Sequence, residues 1–355
     1  MPIGYIITIL IIGVCTFTAL IRVTRFGILA FYLTMVINEI PHLAALLLVF
    51  STVLALSEGD LHGLLGSVLL IVAGLEFVGL LELTRRATRA RSVVASTAAD
   101  HGVQISNDAA QSWIRPLVFP VPLRPGAVKR IGRLPYGDHP RQRLDVYRHR
   151  NGDLFGPILV YFHGGGYSSG SNRNEGRVLL HRLAVQGWTC ISATYRLRPD
   201  AGFTDHLDDA RAVLRWARDN SEIHGGDVTR IVMAGSSAGA HMTATTALAP
   251  PSSAEAVPRI AAAVCLYPWI GRYFGRGEDE SQPSTAPPIF IAHGDHDSWV
   301  PVEEARALYD HIRTGSPNTT WYVELPGAQH AFDALFSWRN AAIVAFLEPA
   351  AMPMN

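Results

Sequence analysis

The stretch Arg230-Ile231-Val232-Met233-Ala234, followed by Gly235-Ser236-Ser237-Ala238-Gly239 and then Ala240-His241-Met242, decides the fold of this chain. Its first five residues read as a buried strand and its last as the start of a small-residue helix, so the five between must turn the chain sharply. A side chain in the middle of such a turn needs an unfavourable backbone conformation, and the positions two before and two after it must be tiny to avoid collision. Gly235 and Gly239 meet that demand around Ser237. Two glycines flanking a serine are common by chance; with a strand before and a helix after, they make Ser237 a candidate nucleophile.

Outward from this turn the same alternation repeats. Residues 143–148 read as a strand with alternating faces, and 157–162, 188–195, 260–267, 288–292 and 319–325 as further strands. Between them, residues 205–220 carry Leu207, Ala210, Val213, Leu214 and Ala217 at helical spacing, an amphipathic crossover helix. Continuous apolar strands separated by helical spacers predict an α/β fold, with a mostly parallel sheet covered by helices on both faces.

The chemistry concentrates at strand ends. The strand ending at Phe162 runs into His163-Gly164-Gly165-Gly166-Tyr167. A phosphate cradle is excluded there because no Lys-Ser or Lys-Thr follows. Glycine suits an oxyanion hole instead, since backbone N–H groups reach a tetrahedral oxygen with no side chain in the way, and Ala238 after the serine supplies a further N–H. A serine needs a base, and the base an orienting acid. Of 14 histidines, His311 and His330 follow the acid expected after residues 288–292; His311 falls on a helical run, so the base is assigned to His330 in the turn after the last strand. The acid lies in His293-Gly294-Asp295-His296-Asp297, where Asp295 and Asp297 both qualify and Asp297, farther from the strand end, has the longer reach.

Taken together, the His-Gly-Gly-Gly run at 163–166, Tyr195-Arg196-Leu197, the Gly-Ser-Ser-Ala-Gly turn at 235–239, the Gly294-x-x-Asp297 loop and His330-Ala331-Phe332 resemble the hormone-sensitive-lipase-type branch of the α/β-hydrolase esterases. The resemblance spans roughly residues 140–348. It implies Ser237 as nucleophile, Asp297 and His330 as its partners, and Gly164, Gly165, Gly166 and Ala238 as the oxyanion region. It implies a serine esterase or lipase that needs no cofactor and no metal. The pattern departs from the family's at Arg198, where Ala is usual, and at Ala331, where Gly is usual; neither touches the proton-transfer chain. Thioesterase, amidase or acyltransferase chemistry on the same triad is the alternative, and a non-catalytic scaffold on a hydrolase fold is a further one.

The N-terminal quarter has another composition. From Pro2 to Leu83 the formal charges are Arg22, Arg25, Glu39, Glu58, Asp60, Glu76 and Glu82, separated by long apolar runs. Residues 1–84 are therefore expected to be a transmembrane region with spans over 3–21, 31–57 and 63–83, the middle one kinked near Pro41. A cleaved signal peptide fits the first run poorly, having no positive leading region and no small-residue cleavage site. Asn38, Glu39, His42 and Glu76 sit at membrane depth, and the reading is hydrogen bonding between helices rather than an intramembrane site. Residues 85–139 read as a juxtamembrane helix and proline-rich connector, and 140–350 as the catalytic domain, each part burying its own apolar surface. Arg22, Arg25, Arg85, Arg86, Arg89 and Arg91 place that domain in the cytoplasm by the positive-inside count.

Composition bounds the partners. Thirty basic residues balance 30 acidic ones, with no basic block for a phosphate backbone, so nucleic acid is not expected. Cys15, Cys190 and Cys265 are too few and too scattered for a disulfide framework or a zinc site. Only Lys129 among the basic residues is a lysine, the coding habit of a GC-rich bacterial genome, which points to a bacterial inner membrane. The expected partners are a small-molecule or lipid ester and the lipid bilayer. Residues 270–287, with Trp269, Tyr273 and Phe274, are expected to cover the site and select the ester.

Overall fold

The computed structural model describes residues 3–22, 27–103, 105, 114–152, 154–249, 257–271 and 282–348. Arg25, Tyr273 and Phe274 lie outside the described residues. The N-terminal part comprises helices α1 (Ile3–Leu20), α2 (Gly27–Glu39), α3 (Pro41–Ser57) and α4 (Gly63–Asp100), followed by the short α5 (Arg115–Val118). The remainder alternates β1 (Val128–Pro135), β2 (Arg143–His149), β3 (Gly156–Phe162), α6 (Arg177–Val185), β4 (Thr189–Ala193), α7 (Phe203–Asn220), β5 (Gly226–Ser236), α8 (Ala238–Leu248), β6 (Ile260–Leu266), β7 (Ile289–Gly294), α9 (Val302–Gly315), β8 (Thr320–Leu325) and α10 (Trp338–Phe346).

The strands form one sheet in the order β1-β2-β4-β3-β5-β6-β7-β8. From β4 to β8 all pairings are parallel, and β2 pairs antiparallel with both β1 and β4. The central strands are apolar on both sides because both faces are covered. One face carries Tyr161, Trp188, Val232, Phe290 and Trp321 beneath α6 and α10, the other Val160, Phe162, Ile231, Met233 and Ile291 beneath α7, α8 and α9. The α/β-hydrolase fold, a mixed eight-stranded sheet preceded by long apolar helices, is the architecture of this chain.

Four sequence expectations take a different form. The sheet starts at Val128, inside the stretch 85–139 read as connector. That edge strand is largely exposed and carries Lys129, Arg130 and Arg133, with a register shift between Ile131 and Leu134, so it has no apolar signature. Next, α4 does not stop at the expected boundary near residue 84: it continues to Asp100 and buries Ala90, Val94 and Ala98, at helical spacing, in the same core as Trp321 and Phe346. The two parts of the chain therefore share a core instead of meeting through a connector alone.

Third, the expected kinked span over 31–57 is two helices bent by 82° at Ile40. Pro41 starts α3 as a favoured first-turn residue. At about 1.5 Å per residue α2 is only ~20 Å long, too short to cross a bilayer, and it lies on the hydrolase instead. Fourth, the polar residues near this bend hold the hydrolase, not neighbouring helices. Asn38 Nδ2 donates to Gly327 O (2.7 Å), and Arg339 Nη1 donates to Asn38 O (2.6 Å) and Glu39 Oε1 (3.0 Å), while His42 packs on Trp338 with ring centroids 4.8 Å apart. Glu76 is the one that meets another helix, lying against Gly13 of α1. The apolar bundle is closed by Tyr5, Ile9, Ile12, Leu48, Leu80 and Leu83.

Candidate active site

Ser237 sits between the end of β5 and the start of α8 with φ 54° and ψ −116°, the strained conformation the turn requires. A Cβ on Gly239 would collide with the Phe162 carbonyl, and one on Gly235 with the Gly239 backbone, so α8 can approach the sheet only because both are glycine. The Ser237 N–H donates to Leu266 O (2.9 Å), which fixes the turn on β6.

The loops after β7 and β8 bring the other two side chains. Ser237 Oγ lies 3.0 Å from His330 Nε2, and His330 Nδ1 lies 2.6 Å from Asp297 Oδ2. All three residues are buried. With the proton on Nδ1 directed at Asp297, Nε2 is left to accept from the serine hydroxyl. Asp297 Oδ1 accepts the N–H groups of Trp299 (2.9 Å) and Val300 (2.8 Å), and His293 Nε2 lies 3.1 Å from Oδ2. Burial pushes the Asp297 carboxyl up, but the charge of His330 and the hydrogen bonds from His293 and His330 outweigh it and hold the group below its ordinary value. The carboxylate thus stays ionised behind the imidazole. Asp295 is placed elsewhere: its Oδ1 accepts the Gly327 N–H (2.6 Å) and lies 2.8 Å from His296 Nδ1. His311 is exposed on α9.

The glycine run after β3 is braced by the Tyr195 motif. His163 stacks on Tyr195 at 4.5 Å, Tyr195 OH donates to His163 O (2.8 Å), and burial pushes the imidazole down to about 4, so it is neutral. Arg196, next in sequence, is tied to Asp205 and Asp209 of α7. Of the four expected oxyanion donors, one is corrected: the Gly164 N–H donates to Glu175 Oε2 (2.5 Å) and is already committed to a carboxyl group. Gly165, Gly166 and Ala238 remain, the first two with φ of 111° and 59°.

Three contributors carry no signal in the sequence. Gln329 Oε1 accepts the N–H groups of Ser298 (2.6 Å) and His330 (3.1 Å), clamping the Asp297 loop to the His330 loop. Asp333 accepts hydrogen bonds from Tyr161 (3.0 Å), Ser236 (2.9 Å), Tyr267 and the Gly176 N–H (3.1 Å), and the Tyr267 ring packs 4.5 Å from His330. Glu175 is raised to about 8 by burial and by the charge of Asp333. Apart from His330, which adjoins Gln329, their partners are 11 to 172 residues away in sequence, so only the folded chain assembles them. Among the described residues no three His, Cys, Asp or Glu side chains gather to hold a metal ion.

A buried imidazole bonded to a hydroxyl on one side and to a carboxylate on the other can take the hydroxyl proton as its oxygen attacks an electrophilic carbon. The comparisons agree with that chemistry. A family model described as alpha/beta hydrolase fold matches residues 159–286. The chain is 32% identical over 324 residues to the probable carboxylic ester hydrolase LipM of Mycobacterium tuberculosis, covering 76% of this chain and 74% of that protein. It is also 32% identical over 308 residues to esterase LipC of the same organism, covering 74% and 76% respectively. Among solved structures, Thermogutta terrifontis esterase 2 phosphonylated by cyclosarin aligns with a TM-score of 0.50 at 26% identity, over 66% of this chain and 98% of that one. On this likeness in sequence and fold, the chain belongs to the hormone-sensitive-lipase-type esterases of the α/β-hydrolase fold and is a carboxylic ester hydrolase.

Proposed function

We propose that Ser237, His330 and Asp297 hydrolyse esters through a covalent acyl-enzyme, in a protein anchored in a membrane by its N-terminal helices. His330 takes the Ser237 proton as Oγ attacks the ester carbonyl carbon, and the N–H groups of Gly165, Gly166 and Ala238 hold the resulting oxyanion. His330 then gives the proton to the leaving alkoxide oxygen, which departs as the alcohol. In the second half, His330 takes a proton from water, the hydroxide attacks the acyl carbon, and collapse returns the proton to Ser237 and frees the acid. Asp297 keeps the tautomer that makes both transfers possible.

The observation that carries this reading is the unbroken hydrogen-bond chain from Ser237 Oγ through His330 to Asp297. Membrane anchoring rests on two described helices long and apolar enough to cross a bilayer, Ile3–Leu20 and Gly63–Asp100, with the bent pair α2–α3 as a third candidate. In this arrangement α1, α3 and the first half of α4 cross, α3 at 17 residues being near the lower limit for a span. A cytoplasmic hydrolase is supported by Arg22 and the cluster at Arg85, Arg86, Arg89 and Arg91 through the positive-inside count.

Fluorophosphonate labelling tests the nucleophile without a choice of substrate. Wild type should label stoichiometrically and hydrolyse short p-nitrophenyl esters; Ser237→Ala should do neither. Hydrolysis retained in that variant would sink the reading.

A further inference from the structure

Helix α2 does more than fill space over the catalytic loops. Its inner face is bonded to them at every turn. Ser298 Oγ donates to Gly27 O (3.0 Å), Gln329 Nε2 donates to Thr34 Oγ1 (3.0 Å), and Asn38 and Glu39 hold Gly327 and Arg339 as described above. A Cβ on Gly27 would press into the Ser298 carbonyl, so the helix is seated as closely as backbone allows. Between these ties the buried Phe31 ring stands edge-on to the His330 ring, with centroids 6.0 Å apart, and meets Trp299 at 5.0 Å; Trp299 in turn lies 5.4 Å from His330.

The outer face of α2 has the opposite character. Ile28, Leu29, Tyr32 and Val36 are exposed, and no charge occurs from Gly27 to Asn38. Four exposed large apolar side chains on one short helix would be costly against water, and lipid is the environment that suits them. On this face α1, α2 and α3 form an open apolar cavity of about 440 Å³, lined by Ile12, Cys15, Tyr32, Val36, Ile40 and Leu43 among others. That volume lies in the range of small-molecule sites, and the lining is apolar apart from the Cys15 thiol and the Tyr32 hydroxyl. Tyr32 lines the cavity while its ring meets Phe31 at 5.2 Å. Two adjacent rings on α2 thus stand between His330 on one side and an apolar cavity on the other.

We propose that α2 is the bilayer-facing wall of the active site, that Phe31 is a specificity-determining residue, and that the cavity between α1, α2 and α3 takes the distal part of a long alkyl chain of the ester. This rests on the ester-hydrolase reading above and names its substrate class: esters with one long alkyl chain, reaching the serine from the membrane side. The chain leaves lipid for an equally apolar cavity, so its transfer costs little, while the ester group is drawn past Phe31 toward Ser237. A short ester has no group to occupy the cavity and is bound by the catalytic loops alone.

The test uses the full chain in mixed micelles, with p-nitrophenyl butyrate and p-nitrophenyl palmitate as probes and fluorophosphonate labelling of Ser237 as a separate readout. Val36→Trp, which fills the cavity, should lower the palmitate-to-butyrate ratio of kcat/KM about tenfold or more. Phe31→Ala should raise that ratio by opening the partition, and Phe31→Leu should move it in the same direction by less, which guards against a folding defect in the alanine variant. Leu75→Trp, on the exposed side of α4, is the control and should leave the ratio unchanged. Normal labelling with a ratio unmoved in the Val36 and Phe31 variants would overturn the role of α2. Absent labelling in wild type would overturn the ester-hydrolase reading itself, so the two failures are distinguishable.

Discussion

At the scale of the residue, Glu175 is the group whose chemistry is least expected beside an oxyanion. Its carboxyl accepts the Gly164 N–H and is raised to about 8, first by burial and then by the charge of Asp333. Near neutrality it is mainly protonated and harmless to the negative charge that the proposed oxyanion region at Gly165 and Gly166 would hold. As pH rises through about 8 it becomes a carboxylate there, so kcat should fall on the alkaline side. Glu175→Gln keeps an acceptor for Gly164 and removes the titration; its pH–rate profile should lack that fall. Stability follows the same sign. The folded value is raised above the ordinary 4.5, so the folded state holds the proton more tightly, and stability should decline as pH rises from about 4.5 through about 8. Thermal unfolding across that window should show wild type losing Tm relative to Glu175→Gln. Parallel curves for the two proteins would remove Glu175 from the account.

At the scale of the element, what the sequence could and could not reveal divides along physical lines. The contact of Ser237, His330 and Asp297 could be anticipated because each follows a strand end in a turn whose chemistry is local. The strands β3 to β7 were legible because burial on both faces leaves an apolar run, and β8, at the other edge, because buried residues alternate with the half-buried Tyr322 and Glu324. By contrast β1 escaped because an exposed edge needs no apolar signature, and α2 escaped for a subtler reason. Its run of Ile28 to Ile37 is apolar all round, and composition cannot distinguish a face that meets lipid from a face that meets protein. The discriminating residues were Asn38 and Glu39, whose partners, Gly327 and Arg339, lie about three hundred residues away. The Glu39–Arg339 pair is buried on both sides, and Arg339 holds Pro326 O as well (2.9 Å). Removing one partner of such a pair leaves a buried charge uncompensated, so Glu39→Ala should cost about 3–5 kcal/mol, read as a fall in chemical-denaturation midpoint. Glu39→Leu combined with Arg339→Met should recover part of that loss. A single variant as stable as wild type would mean that α2 is not docked through this pair.

At the scale of the whole molecule, the question is whether the hydrolase is a separable cargo on a membrane anchor. Composition suggested that it was, with two apolar bodies joined by a proline-rich connector. The packing argues otherwise. A cut after residue 84 would divide α4 in its middle, just before the face where Ala90, Val94 and Ala98 join the hydrolase core. It would also remove α2, uncovering Trp299, releasing Gln329 from Thr34 and leaving the Arg339 guanidinium without Glu39. Gln329 is the side chain that clamps the Asp297 loop to the His330 loop, so its loosening reaches the proton-transfer chain directly. Deleting residues 1–84 should therefore lower kcat even on p-nitrophenyl acetate, a soluble ester that needs no bilayer. A second deletion, of residues 1–22, removes α1 and its Arg22–Glu303 tie but keeps α2 on the loops. That protein should retain most of its activity on the same ester. Comparable activity in both deletions would mean that α2 does not brace the catalytic loops, and full activity in both would restore the picture of an independent domain.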